Sequence, residues 1–477
     1  MSTDRESGDS TGQARCRSAT AADRFRDDPR IGQARQLLLD ALQEHRTAIN
    51  DIRQPIPELE ASYRDMLDDF GKMRGGALYF PYLASGLGNG PWVELGDGSV
   101  KLDFITGIGV HGFGHSDPRL LSAGIDAALG DTVMHGNLQQ GTIGYDFVKL
   151  LLSVTNDSGA RLEHCFLTTS GSMANENALK IAFQKHAPAS RVISFERCFA
   201  GRTLAMAQVT DKAKFRDGLP KAIDVDLIPF FDASDPEGST RRSVRALRDH
   251  ARRFPGQHAC LWMEIVQGEG GYWPGDRDWF RALITEARQH DMAIVADEIQ
   301  SFGRTTRPWA FQHFGLDDLI DIAVVGKITQ VCGTLFRDEY KPRPGLISQT
   351  FTGGSWAILA GHAIVQGLVD GGFFGEQGRN VQLHDYFVRG LEQIRQRHPG
   401  SLHGPFGIGG MVGLTPFNGK FEEAKQLVGR MYELGVMSFM AGADPARVRF
   451  LMPMGCVEES HIDRALGVLE QAVTEME

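Results

Sequence analysis

The sequence predicts an α/β fold built around a mostly parallel sheet. Between about residues 140 and 330, short apolar segments alternate with amphipathic helical patterns. Strands that are buried on both faces of a parallel sheet are apolar along their whole length, and helices connect them. With 477 residues, the chain is long enough for about two or three units of ~100–200 residues each.

Five apolar segments predict the strands of this sheet. They are HCFLTT at 164–169, RVISF at 191–195, ACLWMEIV at 259–266, MAIVAD at 292–297 and DIAVVG at 321–326. Helical patterns between them include ANENALKIAFQK, RRSVRALRDHARR and RDWFRALITEARQH. In open parallel sheets, ligands bind beyond the carboxyl ends of the strands. The residues that follow each strand are therefore the first candidates for a functional site.

The two ends of the chain predict a smaller α/β domain. Residues 1–30 are polar and of mixed charge, which is typical of an unstructured tail. The segment 31–115 opens with a helical pattern and continues into a Gly-rich stretch with short strand-like pieces. The segment 376–477 contains a long helical pattern, three short apolar segments and a final helix. We predict that these ends form the smaller domain and that 116–375 forms the large one.

Composition excludes several classes of protein. The formal net charge is -10, and nucleic acids and anionic membranes attract basic surfaces. The six cysteines are scattered without a CxxC pair, which favours a reducing compartment. No apolar run approaches the roughly 18 residues of a membrane span, and the first 30 residues contain no signal-peptide pattern. We expect a soluble cytoplasmic protein with no nucleic-acid or membrane partner.

Two of the predicted strand ends carry complementary chemistry. Asp297 closes MAIVAD, and Lys327 directly follows DIAVVG. A carboxylate at this edge can keep a pyridinium nitrogen protonated, and an amine can form an imine with an aldehyde. Each residue alone also fits an ordinary structural role, as a turn cap or as solvated surface. Because both lie at strand ends, together they predict a ligand site at this edge of the sheet.

A phosphate site and a stacking partner are predicted nearby. Ser170, Gly171 and Ser172 lie between a strand and a helix, and helix N-termini bind phosphate through free backbone N–H groups. A helix cap at Ser170 or Ser172 is the alternative, although a cap and a phosphate use the same donors. Phe199, just past another strand, is a candidate for stacking on a planar ring. Its alternative is a core phenylalanine.

Taken together, these segments resemble the class III (ω-)aminotransferases, which are fold-type I enzymes of pyridoxal 5'-phosphate. The segments that carry the resemblance are FITGIGVHGFGHSDPRLL, TTSGSMANENALK, FERCFAGRTLA, MEIVQGEGGYW and ADEIQSFGRT, followed by VVGK. They occur in the family's order, and the resemblance extends from about Gly75 to the C-terminus. GKITQVCG and AGAD also resemble the branch of lysine ε-aminotransferase and ornithine aminotransferase.

The resemblance implies how the cofactor is held. Lys327 would bind it as a Schiff base and move the proton during the reaction, and Asp297 would pair with the pyridine nitrogen. The remaining implied contacts are Ile299 and Phe199 on the two ring faces, Gln300 at the phenolic oxygen, and Gly171 and Ser172 at the phosphate. Thr350, with Thr352 as the alternative, would reach the phosphate of a neighbouring subunit. That contact implies a homodimer with shared active sites, to which segment 31–115 also contributes contacts.

Three further positions imply the substrates. Glu269 and Arg449 resemble a switch pair in which the glutamate neutralises the arginine while an ω-amine reacts. The glutamate then releases the arginine to bind the α-carboxylate of 2-oxoglutarate, because an unpaired buried guanidinium is costly. Arg202 matches an arginine for the distal carboxylate. The implied reaction is a ping-pong transfer from an ω-amine, such as that of lysine or ornithine, and the identity of the donor stays open.

Two other motifs in this sequence have ordinary structural explanations. The glycines of GIGVHG at 107–112 fit a dinucleotide-binding pattern, but Gly114 and Pro118 favour a loop over the helix that this pattern requires. The same glycines argue against a metal pair formed by His111 and His115 on a helix, so no metal site is expected. Within the fold, an aminomutase or a non-catalytic scaffold is the alternative function.

Overall fold

The computed structural model describes residues 20–477. Its helices are α1 Ala21–Arg26, α2 Pro29–Arg46, α3 Pro57–Met73, α4 Thr106–Gly109, α5 Pro118–Ala128, α6 Thr142–Asn156, α7 Gly171–Lys185, α8 Met206–Val209, α9 Pro236–Arg253, α10 Arg277–Gln289, α11 Ala310–His313, α12 Ser355–Asp370, α13 Arg379–Arg397, α14 Phe421–Glu433 and α15 Glu459–Met476. Its strands are β1 Ala84–Asn89, β2 Trp92–Leu95, β3 Val100–Asp103, β4 Met134–His135, β5 His164–Thr168, β6 Arg191–Phe195, β7 Asp224–Ile228, β8 His258–Glu264, β9 Val266–Gln267, β10 Trp273–Pro274, β11 Ala293–Asp297, β12 Ile322–Val325, β13 Cys332–Phe336, β14 Gly353–Gly354, β15 Leu402–Ile408, β16 Met411–Pro416, β17 Val436–Met437, β18 Phe439–Ala441 and β19 Arg447–Leu451.

The largest sheet has the order β5-β13-β12-β11-β8-β6-β7. Its strands pair in parallel except at β13, which is antiparallel to both of its neighbours. The prediction of a mostly parallel sheet is therefore confirmed, and all five predicted strands belong to it. Two further strands of this sheet were not predicted from the sequence. β7 is a half-exposed edge strand with acidic residues, and β13 begins only five residues after Lys327.

The centre of the sheet explains why the strands are so apolar. Every residue of β8, β11 and β12 is buried. α10 covers this sheet with one apolar face, on which Trp279, Phe280, Leu283 and Ile284 are fully buried. Burying such side chains stabilises the fold by about 1.5–3 kcal/mol each. The centre of the sheet is thus a rigid support for the residues at the strand ends.

The two ends of the chain meet in the smaller sheets. β17 pairs in parallel with β3, and Val436 lies opposite Leu102. This joins the N-terminal strands to the C-terminal part of the chain in a sheet of order β1-β2-β3-β17. A second four-stranded sheet, β15-β16-β19-β18, is built entirely from C-terminal strands. The domain boundaries at 115 and 375 stay predictions.

One expectation about the N-terminus needs correction. The range 1–30 was expected to be unstructured, but α1 occupies Ala21–Arg26 and α2 begins at Pro29. The reason is local capping: Thr20 and Asp23 form a reciprocal capping box, and the Asp28 side chain accepts from the Arg30 N–H. Residues 1–19 lie outside the described residues. In the described range, no helix is long and apolar enough to cross a membrane.

Candidate active site

A cavity of about 380 Å³ opens at the carboxyl ends of β8, β11 and β12. Nine residues that the sequence predicted for the site line it: Gly171, Ser172, Phe199, Arg202, Glu269, Asp297, Ile299, Gln300 and Lys327. The strand-end rule and the family resemblance thus point to residues that the structure brings together around one cavity. Arg449 lies behind Glu269, and Thr350 is not among the residues that line the cavity.

Asp297 is the last residue of β11 and is buried. One carboxylate oxygen accepts from the Ile299 N–H at 3.1 Å, and the other accepts from Asn175 Nδ2 at 2.8 Å. Burial raises the pKa of Asp297 to about 6, despite these donors. A cation placed beside this buried carboxylate would stabilise its ionised form, and a protonated pyridine nitrogen is such a cation.

Lys327 follows β12 in a turn that aims its side chain into the cavity. Its φ is 53°, a left-handed conformation that is uncommon for a residue with a side chain. A Cβ on the preceding Gly326 would lie 2.8 Å from Cys332 Sγ and 2.9 Å from Ile299 Cδ1, so a larger residue before the lysine would displace these side chains. Burial, followed by the positive charges of Arg449 and Arg304, lowers the pKa of Lys327 to about 7. A large fraction of the amine is therefore uncharged and nucleophilic at neutral pH.

The N-terminus of α7 forms the opposite end of the cavity. Ser170 caps the helix through its Oγ, which accepts from the Met173 N–H at 3.3 Å, so the predicted cap is Ser170 rather than Ser172. Gly171 and Ser172 follow it and line the cavity. Gly201 packs against them with a φ of 132°, and a Cβ there would lie 2.3 Å from Ser172 Oγ. This narrow backbone cradle at a helix N-terminus suits a phosphate group.

Phe199 and Ile299 are brought to the same cavity from two different loops. The Phe199 N–H donates to Glu264 Oε2 at 2.8 Å, and the Gly268 N–H donates to Glu264 Oε1 at 3.0 Å. Glu264 thereby ties the Phe199 loop to the loop that carries Glu269. Burial, and the nearby charge of Asp297, raise the pKa of Glu264 to about 8.

The predicted switch residues are in direct contact. Arg449 Nη2 lies 2.6 Å from Glu269 Oε2, and the arginine side chain is 0% exposed. Lys212 Nζ lies 2.9 Å from the other oxygen, Glu269 Oε1. Burial alone would raise the pKa of Glu269, but these two cations outweigh it and lower the pKa. Glu269 is thus an ionised carboxylate held between an arginine and a lysine.

Arg202 and Thr350 lie at the periphery of the candidate active site. Arg202 is exposed and lines the cavity, and its guanidinium carbon lies 4.0 Å from the centroid of the Phe215 ring. Thr350 is exposed. Thr352, its alternative, is buried and donates to the His135 carbonyl at 3.0 Å. The Thr352 hydroxyl is therefore already used within its own chain, whereas that of Thr350 is accessible.

Sequence reasoning missed several residues of the site. Asn175, which donates to Asp297, lies four residues after Gly171 on α7, so helical spacing placed it on the same face. Glu264 ends β8 opposite Asp297, and the strand-end rule would have found it. No sequence pattern indicated Lys212, because it lies 57 positions from Glu269 in the sequence.

The residues present fit pyridoxal phosphate. Asn175 lines the cavity, and its buried Oδ1 has no partner within residues 20–477, which is a sign of a site built for a polar ligand. A phosphate cradle, a buried carboxylate and an amine of low pKa line the same cavity. The class that this fold and site define together is that of the fold-type I enzymes of pyridoxal phosphate.

Comparison with known proteins gives the family within that class. The sequence profile described as "Aminotransferase class-III" matches residues 81–473. The chain belongs to this family and is a transaminase. An acetylornithine aminotransferase of Methanocaldococcus jannaschii is 29% identical over 393 residues, which cover 80% of this chain and 90% of that protein. A diaminobutyrate–2-oxoglutarate transaminase of Wolinella succinogenes is 27% identical over 388 residues, with coverage of 80% and 88%.

Solved structures show the same fold. A lysine aminotransferase from M. tuberculosis superimposes with a TM-score of 0.77 at 23% identity, covering 86% of this chain and 100% of that one. The ornithine aminotransferase of Toxoplasma gondii gives a TM-score of 0.72 at 21% identity, with coverage of 87% and 98%. The predicted fold class, family, cofactor and reaction class are therefore confirmed.

Proposed function

We propose that this transaminase moves the ω-amino group of an amino acid, such as lysine or ornithine, to 2-oxoglutarate by a ping-pong mechanism. The observation that carries the proposal is the ion pair between Glu269 and Arg449 at the edge of the cavity. A buried guanidinium binds an α-carboxylate well only if its own partner can move aside. While an ω-amine reacts, Glu269 neutralises Arg449, and 2-oxoglutarate then displaces it.

Bound pyridoxal phosphate supplies an electron sink for the negative charge that develops at the substrate carbon. In the proposal, Lys327 Nζ takes the proton from the substrate carbon that carries the amine and returns it to the cofactor. Its low pKa makes it an effective base near neutral pH. Asp297 would pair with the pyridine nitrogen and keep it protonated.

The remaining residues position the cofactor and the substrate. Gly171 and Ser172 hold the phosphate. Ile299 and Phe199 would contact the ring of the bound cofactor, and Gln300 would hydrogen-bond its phenolic oxygen. Arg202 binds the distal carboxylate of the acceptor, where its exposed guanidinium is accessible from the cavity mouth. This arrangement of two arginines favours a dicarboxylate acceptor.

We also propose that the active enzyme is a homodimer in which Thr350 reaches the partner's phosphate. Segment 133–138 lies beside segment 349–354, where β4 pairs with β14 and the Asn137 N–H donates to the Gln349 carbonyl at 3.1 Å. These segments, together with α6 and α12 that follow them, expose six large apolar side chains, here called the apolar patch: Val133, Met134, Leu138, Tyr145, Phe351 and Trp356. Leu138 is 99% exposed, and an apolar patch of this kind is typical of an interface between subunits. The cytoplasmic location stays a prediction.

An aminomutase is the second candidate, since it uses the same lysine and aspartate. An aminomutase has no second carboxylate substrate to exchange at Arg449, so the Glu269–Arg449 pair favours transamination. The names of the relatives also support transfer between amino acids, and one of them specifies 2-oxoglutarate.

The test is an absorbance titration of the purified enzyme with its cofactor. Lysine, ornithine, N-acetylornithine, diaminobutyrate and 4-aminobutyrate are added singly, without acceptor. We expect one donor to shift the cofactor band and 2-oxoglutarate to restore it, with glutamate formed in equal amount. A donor that shifts the band but yields an isomer of itself would instead identify an aminomutase.

A further inference from the structure

We propose that Lys212 is the second partner of Glu269 and holds its carboxylate while Arg449 binds the acceptor. The inference rests on the proposed function and adds a positioning residue that favours the acceptor half of the reaction. Glu269 has two carboxylate oxygens, and each contacts a different cation: Oε2 contacts Arg449 Nη2 at 2.6 Å, and Oε1 contacts Lys212 Nζ at 2.9 Å.

The two cations differ in their surroundings. Arg449 lies on β19 and its side chain is 0% exposed, so it is fixed within the C-terminal sheet. Lys212 lies in the loop after α8, and its side chain is 25% exposed. Its ammonium nitrogen lies 5.4 Å from the centroid of the Phe215 ring, within the reach of a weak cation–π interaction. The lysine is therefore held beside the cavity but retains contact with water.

The electrostatic balance changes with the state of the switch. While Glu269 pairs with Arg449, two cations share one anion, and repulsion between Lys212 and Arg449 offsets part of the attraction of Lys212 for Glu269. Once the acceptor's carboxylate neutralises Arg449, that repulsion is cancelled. Glu269 then forms a simple pair with Lys212, so Lys212 stabilises this state more than the first.

Without Lys212, the release of Arg449 would leave Glu269 without a partner. A carboxylate that is only 21% exposed loses much of its hydration, and leaving it unpaired is unfavourable. The acceptor would have to supply that free energy from its own binding. Lys212 thus lowers the free-energy cost of binding 2-oxoglutarate. The same cost does not arise when the ω-amine donor binds, because Glu269 then stays paired with Arg449.

The experiment measures the two half-reactions separately in Lys212→Met, by rapid mixing of the cofactor-loaded enzyme. Methionine keeps the length and apolar character of the stem but removes the charge. We expect the apparent dissociation constant of 2-oxoglutarate to rise by about 5-fold, a modest effect because the pair is partly exposed. The donor half-reaction should change by less than about 2-fold, and Lys212→Arg should restore acceptor binding.

Two controls make the result specific. Lys214→Met removes an exposed lysine two positions away and should leave both half-reactions unchanged. In a Glu269→Gln background, Lys212→Met should have no further effect on acceptor binding, since its partner has lost its charge.

Equal losses in both half-reactions would show that Lys212 only supports the local structure and would overturn the inference. A 5-fold effect that persists in the Glu269→Gln background would also overturn it, because the lysine would then act on the substrate directly. Failure of the unmodified enzyme to react with 2-oxoglutarate is a different result, which would reject the proposed function itself.

Discussion

Arg449 and Glu269 form an ion pair between a buried residue of a sheet and a partly exposed residue of a loop. The guanidinium is 0% exposed, whereas the glutamate side chain is 21% exposed and belongs to a loop. Arg449 lies on β19, between β16 and β18. A charge fixed in a sheet and a counter-ion on a loop form an exchangeable binding site, because the loop can withdraw without disturbing the core.

The first prediction concerns Arg449. Replacing Arg449 with Met should weaken the binding of 2-oxoglutarate by about 100-fold, since a desolvated arginine–carboxylate contact contributes about 2–5 kcal/mol. The donor half-reaction should keep most of its rate, because Lys212 still neutralises Glu269. Single-turnover measurements with each substrate check this, and the thermal midpoint serves as the control for folding. An unchanged response to 2-oxoglutarate would remove the argument for this acceptor.

The second prediction concerns Lys327. Lys327→Ala should lower turnover by at least about a thousandfold, because the residue that moves the proton is lost. The cofactor should still bind, since the α7 N-terminus and Asp297 are unchanged. Activity assays and equilibrium dialysis with pyridoxal phosphate separate the two effects. Normal turnover in this variant would be incompatible with the assigned role.

Several residues of the candidate site were predictable because they occur at features that can be recognised in the sequence, such as the ends of apolar strands. Asp297 ends β11 and Lys327 follows β12 by two residues, and both strands consist of β-branched and small apolar residues. The parallel-sheet rule therefore places both side chains at one edge. Family resemblance then supplied Glu269 and Arg449. Lys212 was not predictable, because its pairing depends on the packing of a loop against residues far away in sequence.

Two features of the fold differ from the prediction for similar physical reasons. β13 runs antiparallel and follows Lys327 within a few residues, so the βαβ rhythm that predicted the other strands did not apply to it. The expectation of an unstructured N-terminus overlooked the caps at Thr20 and Asp28. Composition describes an average over a segment, whereas a cap depends on single residues at fixed spacing.

The third prediction concerns pH. Attack on the cofactor's aldehyde requires the uncharged Lys327 amine, whose pKa is lowered to about 7 by burial and by Arg449 and Arg304. The uncharged fraction rises as the pH rises through 7, so the rate at which cofactor-free enzyme takes up pyridoxal phosphate should rise between about pH 6 and 8 and then level off. Stopped-flow absorbance across this range measures it. A rate that keeps rising toward pH 10 would indicate an ordinary lysine.

The last prediction concerns the apolar patch that includes Leu138. Leu138 is 99% exposed, so Leu138→Asp cannot disturb the core of the single chain, but it would bury a charge if two copies meet there. We expect the variant to shift from dimer to monomer in analytical ultracentrifugation and to bind cofactor less tightly, because Thr350 of the partner subunit no longer reaches the phosphate. Leu219→Asp, at a position that is also exposed but outside the patch, is the matched control and should stay dimeric. If the Leu138 variant remains a fully active dimer, the subunits associate through another surface and Thr350 loses its proposed role.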